Sequence, residues 1–448
     1  MLVMDCNMYT STFTALNNCF LNKMISEGAL ILFSDWGVNK ASPDFSSRKA
    51  CRLCNGWDLQ LVLLLNKSPL CDAYLKEPKH QEYYNLDVYL CKECGFVQIN
   101  TIVDPEIIYK DYIYVTTSSS GLKKHFDNYA FEVSSVLEIK NSKFIVDIGS
   151  NDGTLLEFFK SKNHRILGIE PAEIIANNAE KRGIKTIKKY FDILLAKQMV
   201  DQYGYADIIT INNLFANIDD LETFTKGLEI LLDENGVIVI ESSYLLNMVN
   251  NMVFDFIYHE HLSYFSILPL IKFFKGFGMQ LIRLQEVSTK GGSLRYYWAR
   301  EDSKWDVNEN VKRLIEKERI ASIGLKTFEE FQLSINSVKK SLIDYLMSDA
   351  NKTIVGYGAS ATSTTLISHF QLSEYINYLV DDNPQKIGTY SPGYHIPVYS
   401  SSKLLENTPD IIIILAWRYK KEIMKKLQGI RSRVIGPLPQ SEVLNALP

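Results

Sequence analysis

Four cysteines fall into two close pairs, Cys51 with Cys54 and Cys91 with Cys94. Each C-x-x-C pair sets two thiolates on one tight turn, and two such turns complete the tetrahedral sulfur shell of a zinc ion. A closed four-sulfur shell leaves no coordination position for water or substrate, so the expected metal is structural and folds the module around it. Four buried thiols without metal is the plainer alternative; Cys6, Cys19 and Cys71 read as unliganded. A second constellation is the run from Phe144 through Asp147, Gly149, Ser150, Asn151, Asp152 and Gly153 to Thr154, an apolar strand entering a glycine turn that opens a helix. Gly149 and Gly153 let the backbone approach a ligand closely. The next strand ends in Glu170, where a carboxylate accepts hydrogen bonds from both hydroxyls of a ribose. A third gathers Tyr258, His259, Glu260, His261 and Tyr264 in a chain with only seven histidines. Its spacing lacks the i, i+4 histidine pair of a zinc helix, so general acid–base work is the better use, with a histidine beside Glu260 removing a C–H proton. A polar helix start with histidines satisfied by backbone carbonyls is the bland alternative.

The second constellation also says which ligand it suits. The turn from Gly149 to Gly153 does not match the G-x-G-x-x-G spacing that cradles a dinucleotide, and Asp152 would repel a pyrophosphate. An acidic loop suits a ligand that presents an ammonium and a sulfonium centre, as S-adenosylmethionine (SAM) does. Asp192, after the next short strand, is placed to meet the adenine amine. An unremarkable strand-turn of an α/β fold is the alternative.

These residues need elements to hold them. A chain of 448 residues suggests about three domains of roughly 150 residues each. With 46% hydrophobic and 22% charged residues and a net charge of −4, it reads as a globular protein with sizeable cores and no electrostatic reason to bind nucleic acid. No apolar run approaches a membrane span, and the N-terminus lacks the basic start and apolar core of a secretory signal, so a cytoplasmic protein is expected. Before Arg48 only the apolar run Gly28 to Phe33 suggests a strand. Tyr83 to Tyr89 alternates as a strand between the cysteine pairs. Phe144 to Ile148, Ile166 to Ile169, Asp207 to Ile211 and Gly236 to Ile240 are apolar runs separated by helix-length segments, the pattern of a parallel sheet. A Lys- and Glu-rich helical span follows Arg300, and a second β/α series begins at Lys352, with further strands at Tyr378 to Val380 and Ile411 to Leu415.

The tandem order of these motifs resembles the bacterial nucleotide-sugar C-methyltransferases that make branched deoxysugars, such as the enzyme of tetronitrose biosynthesis. The resemblance spans Cys51 to near the C-terminus. It rests on the cysteine pairs, Tyr112 and Tyr114 before Ser118 to Ser120, the Asp147 to Gly153 turn, Asn213 to Asn217, Tyr258 to His261, Gly291 to Arg295, and Gly356 to Ala359. It implies an α/β chain with a zinc-binding module (48–108), a central class I methyltransferase Rossmann-like domain (109–300), a helical connector (301–348) and a second Rossmann-like domain (349–448) that helps hold the nucleotide sugar. Residues 1–47 are an extension without assigned role.

By the same resemblance the substrate is a deoxythymidine-diphosphate keto-deoxysugar, destined for a surface polysaccharide or natural product, and His261 removes the proton beside its carbonyl so that the enolate attacks the SAM methyl. Tyr112, Asn217, Tyr258 and Glu260 would lie near the reacting centre. The cofactor would lie against Asp147, Gly149, Asn151, Asp152, Gly153, Glu170, Asp192 and Asn213. Asn217 stands where the family often carries a histidine, and Thr362 where it commonly carries a lysine suited to a diphosphate. Asp381 to Pro384 and Pro392 to Pro397 follow the family pattern of a loop near the sugar nucleotide. The other readings are O- or N-methylation of a related sugar and a non-catalytic binding protein, in a monomer or homodimer.

Overall fold

The computed structural model describes residues 2–4, 31–33, 45–109, 120–348 and 352–445. Residues 1–46 form one unit, in which Leu2–Met4 pairs in parallel with Ile31–Phe33, within the apolar run after Gly28. Residues 47–448 form the other unit, which carries everything described below.

Its centre is a seven-stranded sheet: β1 (Phe144–Ile148), β2 (Arg165–Ile169), β3 (Thr186–Ile187), β4 (Ala206–Asn212), β5 (Leu232–Ser243), β6 (Met279–Val287) and β7 (Ser293–Arg300), in the order 3-2-1-4-5-7-6. All pairs are parallel except the two made by β7, which runs antiparallel to β5 and β6. Every residue of β1 is buried, as expected when helices cover both faces of a parallel sheet and the strand reads as an unbroken apolar run. The helices Thr154–Ser161, Glu173–Lys181, Ile193–Tyr203 and Leu221–Leu231 connect successive strands. The β6–β7 pair escapes a search for apolar runs because Gln280, Arg283, Gln285 and Glu286 interrupt β6.

The second sheet contains β8 (Ile354–Tyr357), β9 (Tyr378–Asp381), β10 (Val398–Ser400), β11 (Ile411–Ile414), β12 (Arg433–Gly436) and β13 (Glu442–Asn445), in the order 10-9-8-11-12-13. All pairs are parallel except β12 with β13. Two helices, Glu309–Ala321 and Leu325–Met347, bridge the sheets. The longer one buries Phe328, Phe331, Ile335, Leu342 and Leu346, a single stripe at helical spacing.

The cysteine-bearing module is an antiparallel sheet of Leu59–Leu63, Val88–Cys91 and Val97–Ile99. Its fourth strand, Ser263–Tyr264, comes from the central domain and pairs with Val97–Ile99, so the segment carrying Tyr258 to His261 is stitched to the module by backbone hydrogen bonds. The alternating stretch Tyr83 to Tyr89 is strand only from Val88. Tyr84 instead exchanges two backbone hydrogen bonds with Ser68, and Tyr83 packs edge-on against Tyr394 of the C-terminal domain at 5.8 Å, which draws the segment out of the sheet. One apolar core takes in Leu63 and Leu90 of this module, Phe254 and Ile257, Phe328 and Phe331 of the long helix, and Leu366 and Phe370 of the C-terminal domain. Among the described residues no helix is long and apolar enough to cross a membrane.

A buried ion pair reinforces that junction. Asp255 has no exposed surface and accepts from Arg418 Nη1 at 2.9 Å and from Trp417 Nε1 at 3.0 Å. Removing one partner of a buried pair strands the other. Asp255→Ala is therefore expected to lower stability by on the order of 3 kcal/mol in urea denaturation, with a smaller loss for Asp255→Asn, which keeps one acceptor oxygen.

Candidate active site

The C-terminal ends of β1, β2 and β4 open onto a cavity of about 1370 Å³, at the point where strand order reverses and open α/β sheets place their ligands. Asp147, Gly149, Asn151, Glu170 and Asn213 line it. Gly149 has φ 73°, and a Cβ there would come 2.9 Å from Leu214, so the turn closes only around glycine. The two oxygens of Glu170 accept from the amides of Asn151 at 3.0 Å and Ala172 at 2.9 Å. Burial raises its pKa. Asp147 accepts from Thr210 Oγ1 at 2.6 Å, and burial pushes its carboxyl up to about 7.

Three residues expected against the cofactor lie off the cavity wall. Asp152 turns behind the loop, accepts from Thr154 Oγ1 at 2.6 Å and faces Arg182 Nη1 at 3.6 Å, so the carboxylates toward the ligand space are those of Asp147 and Glu170 instead. Gly153 packs on Ile184, whose side chain would meet an added Cβ at 3.0 Å. Asp192 accepts from the Leu195 amide at 2.7 Å and caps the helix Ile193–Tyr203, leaving the preceding Phe191 on the wall. Asx side chains satisfy helix-start amides readily, which is why two carboxylates chosen by their position in sequence have structural partners.

Tyr258, Glu260 and His261 line the same cavity. His259 points the other way, with Nε2 3.3 Å from the Asn85 carbonyl. His261 Nδ1 lies 3.1 Å from the Phe256 carbonyl, which assigns the proton to Nδ1 and leaves Nε2 as the free lone pair. The imidazole stacks on Phe256 and Tyr258, with ring centroids 5.1 and 4.2 Å away. Burial and the Lys290 charge drive its pKa down to about 3, so it stands neutral. Burial, with the Asp72 charge adding, pushes Glu260 up to about 8. Asn217 sits in the turn Phe215–Asn217 on the cavity wall, and the Leu262 amide donates to the adjacent Ala216 carbonyl at 2.8 Å. Tyr112 lies outside the described residues.

The far wall comes from the second sheet: Ala359, Ser360, Thr362, Asp381 and Asn383 line it, with Trp417 and Arg418. Asp381 receives the Ala359 amide at 2.6 Å, much as Glu170 receives that of Asn151. His395 is turned out of the cavity, with Nε2 2.8 Å from the Lys79 carbonyl. Lys290, Asp72, Lys386 and Arg418, none of them a candidate by sequence, also line the cavity. For Lys290 a signal existed, a lysine directly before two glycines between strands; the others carry no local mark.

The four paired cysteines converge with all sulfurs within 4.8 Å of one another, and Cys51–Cys94 and Cys54–Cys91 are each 3.6 Å apart. Tetrahedral Zn–S bonds near 2.3 Å put sulfurs about 3.8 Å apart, so the set fits zinc. Between Cys51 and Cys54, the buried Arg52 side chain reaches Asp219 Oδ1 at 2.9 Å and the Ile99 carbonyl at 2.6 Å. Asp219 is on the cavity wall, so the metal knuckle braces the active-site rim.

Family models match the chain in three consecutive parts: a zinc binding domain at 51–109, a methyltransferase domain at 124–284 and a C-methyltransferase C-terminal domain at 288–439. The C-methyltransferase NovU of Streptomyces niveus is 27% identical over 407 residues, covering 88% of this chain and 97% of the relative. Among solved structures, the magnesium protoporphyrin IX methyltransferase of Synechocystis PCC 6803 with bound SAH shares 13% identity at TM-score 0.33, covering 40% of this chain and 84% of that one. A SAM-dependent methyltransferase of Clostridium acetobutylicum ATCC 824 shares 14% at TM-score 0.32, covering 44% and 95%.

The cysteine geometry makes a direct prediction. Cys91→Ser is expected to lose stoichiometric zinc and on the order of 3 kcal/mol of stability or more, read by metal analysis and thermal melting; full zinc retention would refute the four-sulfur site. With zinc binding, methyltransferase and C-methyltransferase C-terminal domains matched in that order, the chain is a SAM-dependent methyltransferase similar over most of its length to the C-methyltransferase NovU.

Proposed function

We propose that this C-methyltransferase acts on a keto-deoxysugar nucleotide, moving the SAM methyl to the ring carbon beside the carbonyl, with His261 as the base. The observation that carries this reading is a neutral imidazole anchored through Nδ1, its Nε2 facing the same cavity as the cofactor-side carboxylate Glu170. Methylation at carbon needs a C–H proton removed, and a neutral imidazole with one nitrogen fixed by a carbonyl suits that task. The cavity volume, about 1370 Å³, exceeds the roughly 300–1,000 Å³ of a site for one small ligand. It has room for a cofactor and a nucleotide sugar together.

In this reading Glu170 holds the SAM ribose, and Asp147, Gly149, Asn151 and Asn213 shape the rest of the cofactor wall. Asp152, Gly153 and Asp192 act through the loops they fix. Tyr258, Glu260 and Asn217 surround the sugar carbonyl, joined by Tyr112 through the family resemblance. Ser360, Thr362 and Asp381 face the nucleotide. The zinc ion folds its module and takes no part in the chemistry.

Three measurements test this. In heavy water with a panel of keto-deoxysugar nucleotides, wild type should exchange the α-hydrogen and, with SAM, methylate that carbon, while His261→Ala does neither; methyl on oxygen or nitrogen would sink the assignment. The depressed titration of His261 sets a sign for pH. A histidine at its ordinary 6.5 would be protonated as pH falls and would lose about tenfold in rate per unit. One at about 3 stays a competent base, so kcat at saturating SAM should hold within about threefold from pH 7.5 to 5. Glu170→Ala should weaken SAM binding roughly 10- to 100-fold by calorimetry, the loss of hydrogen bonds to a carboxylate.

A further inference from the structure

One cation on the cavity wall has no part in the reaction outlined above. Lys290 stands in the tight connection between β6 and β7, in the left-handed region at φ 55°, followed by Gly291 at φ 83° and Gly292 at φ 116°. The connection has no room to relax. A Cβ on Gly291 would come 2.8 Å from Val253 and one on Gly292 2.7 Å from Asn247, and Asn251 Nδ2 donates to the Gly291 carbonyl at 2.9 Å. A non-glycine residue in this region costs conformational energy that the surrounding structure must hold in place.

The side chain on this backbone lines the cavity and reaches the ring against which His261 stacks. Lys290 Nζ lies 5.8 Å from the centroid of the Phe256 ring, and the same ring stacks on His261 at 5.1 Å. Ammonium and imidazole thus flank one ring. The other half-buried or buried cations of the wall are committed: Lys386 to Asp72 at 3.0 Å, Arg418 to Asp255 at 2.9 Å and Lys420 to Glu442. Among the described residues Lys290 makes no ion pair or hydrogen bond, while Lys189 and Lys421 are exposed. Its charge adds to the burial that lowers the pKa of His261 and opposes the burial that raises that of Glu260.

We propose that Lys290 is a further catalytic residue whose ammonium donates to the substrate carbonyl oxygen and holds the negative charge that gathers there when His261 takes the neighbouring proton. This rests on the keto-sugar reading above. In the first step the C–H bond breaks, its electron pair forms the carbon–carbon double bond, the carbonyl π pair moves to oxygen, and the proton goes to His261 Nε2. In the second the enolate carbon bonds the methyl group, the carbonyl re-forms, and the C–S pair stays on sulfur; His261 then returns its proton to solvent. Lys290 keeps its proton throughout and supplies a fixed dipole and charge where the oxyanion develops, which preorganised donors do at small reorganisation cost.

The experiment compares wild type, Lys290→Met, Lys290→Gln and Lys290→Arg in α-hydrogen exchange without SAM, in kcat and KM for the sugar nucleotide, and in SAM affinity by calorimetry, which reports an intact fold. The expected result is a fall of about 100-fold or more in both exchange and kcat for the Met variant, with KM and SAM affinity within about threefold, and at least tenfold recovery in the Arg variant. Gln, a neutral donor, should fall between, and replaces Met if that variant loses SAM binding. A rise in KM with kcat unchanged would overturn the proposal and make Lys290 a grip on an anionic part of the substrate. Full exchange in both neutral variants would overturn it as well. If wild type neither exchanges nor methylates carbon on any keto sugar, the keto-sugar reading itself falls.

Discussion

The carboxylate of Asp255 is cut off from solvent and still carries two partners from a segment more than 160 residues away, Arg418 and Trp417. A buried charge of this kind tolerates little displacement, because its desolvation is offset only while the partners stay in place. Asp255 immediately precedes Phe256, the ring on which His261 stacks. This interaction therefore links the docking of the C-terminal domain to the orientation of the His261 ring. Arg52 repeats the arrangement on the other side: its buried guanidinium joins the cysteine knuckle to Asp219 on the cavity rim.

Between these two anchors the cavity is enclosed by parts that none of the modules could supply alone. The first sheet offers strand ends and a glycine turn. The second sheet offers the opposing wall. The segment from Phe254 to Tyr264 lies between them and is held along its length, by Thr365 Oγ1 on the Ile257 carbonyl at 2.9 Å, by Leu262 on Ala216, and by the pairing of Ser263–Tyr264 with the cysteine-bearing sheet. A side chain on such a segment keeps its geometry without relying on a mobile loop.

Enclosure also sets the electrostatics. Burial lowers the pKa of His261 and raises those of Glu260 and Asp147, since removal from water disfavours the charged form of each. The result is a neutral imidazole beside a carboxyl that holds its proton more tightly than usual. These states make a proton acceptor and a hydrogen-bond donor available together near neutral pH. Neither residue would have them in a solvated loop.

The sequence by itself determined what covalent spacing enforces. Two C-x-x-C pairs bring thiolates together within a turn, an apolar strand running into Gly149 makes a ligand turn, and Glu170 follows at the end of the next strand; each is a local consequence of chain geometry and could be read from Cys51, Cys54, Cys91, Cys94 and Phe144 to Glu170. The clustering of Tyr258, Glu260 and His261 was legible for the same reason, though which histidine faces the cavity was not. Only the tertiary structure decided that His259 turns outward, that Asp152 and Asp192 are taken up by helix starts, and that Asp72, Lys290, Lys386 and Arg418 line one cavity. Those outcomes depend on burial and on partners hundreds of residues apart, and no local pattern encodes which of several nearby polar groups a packed core leaves facing the ligand.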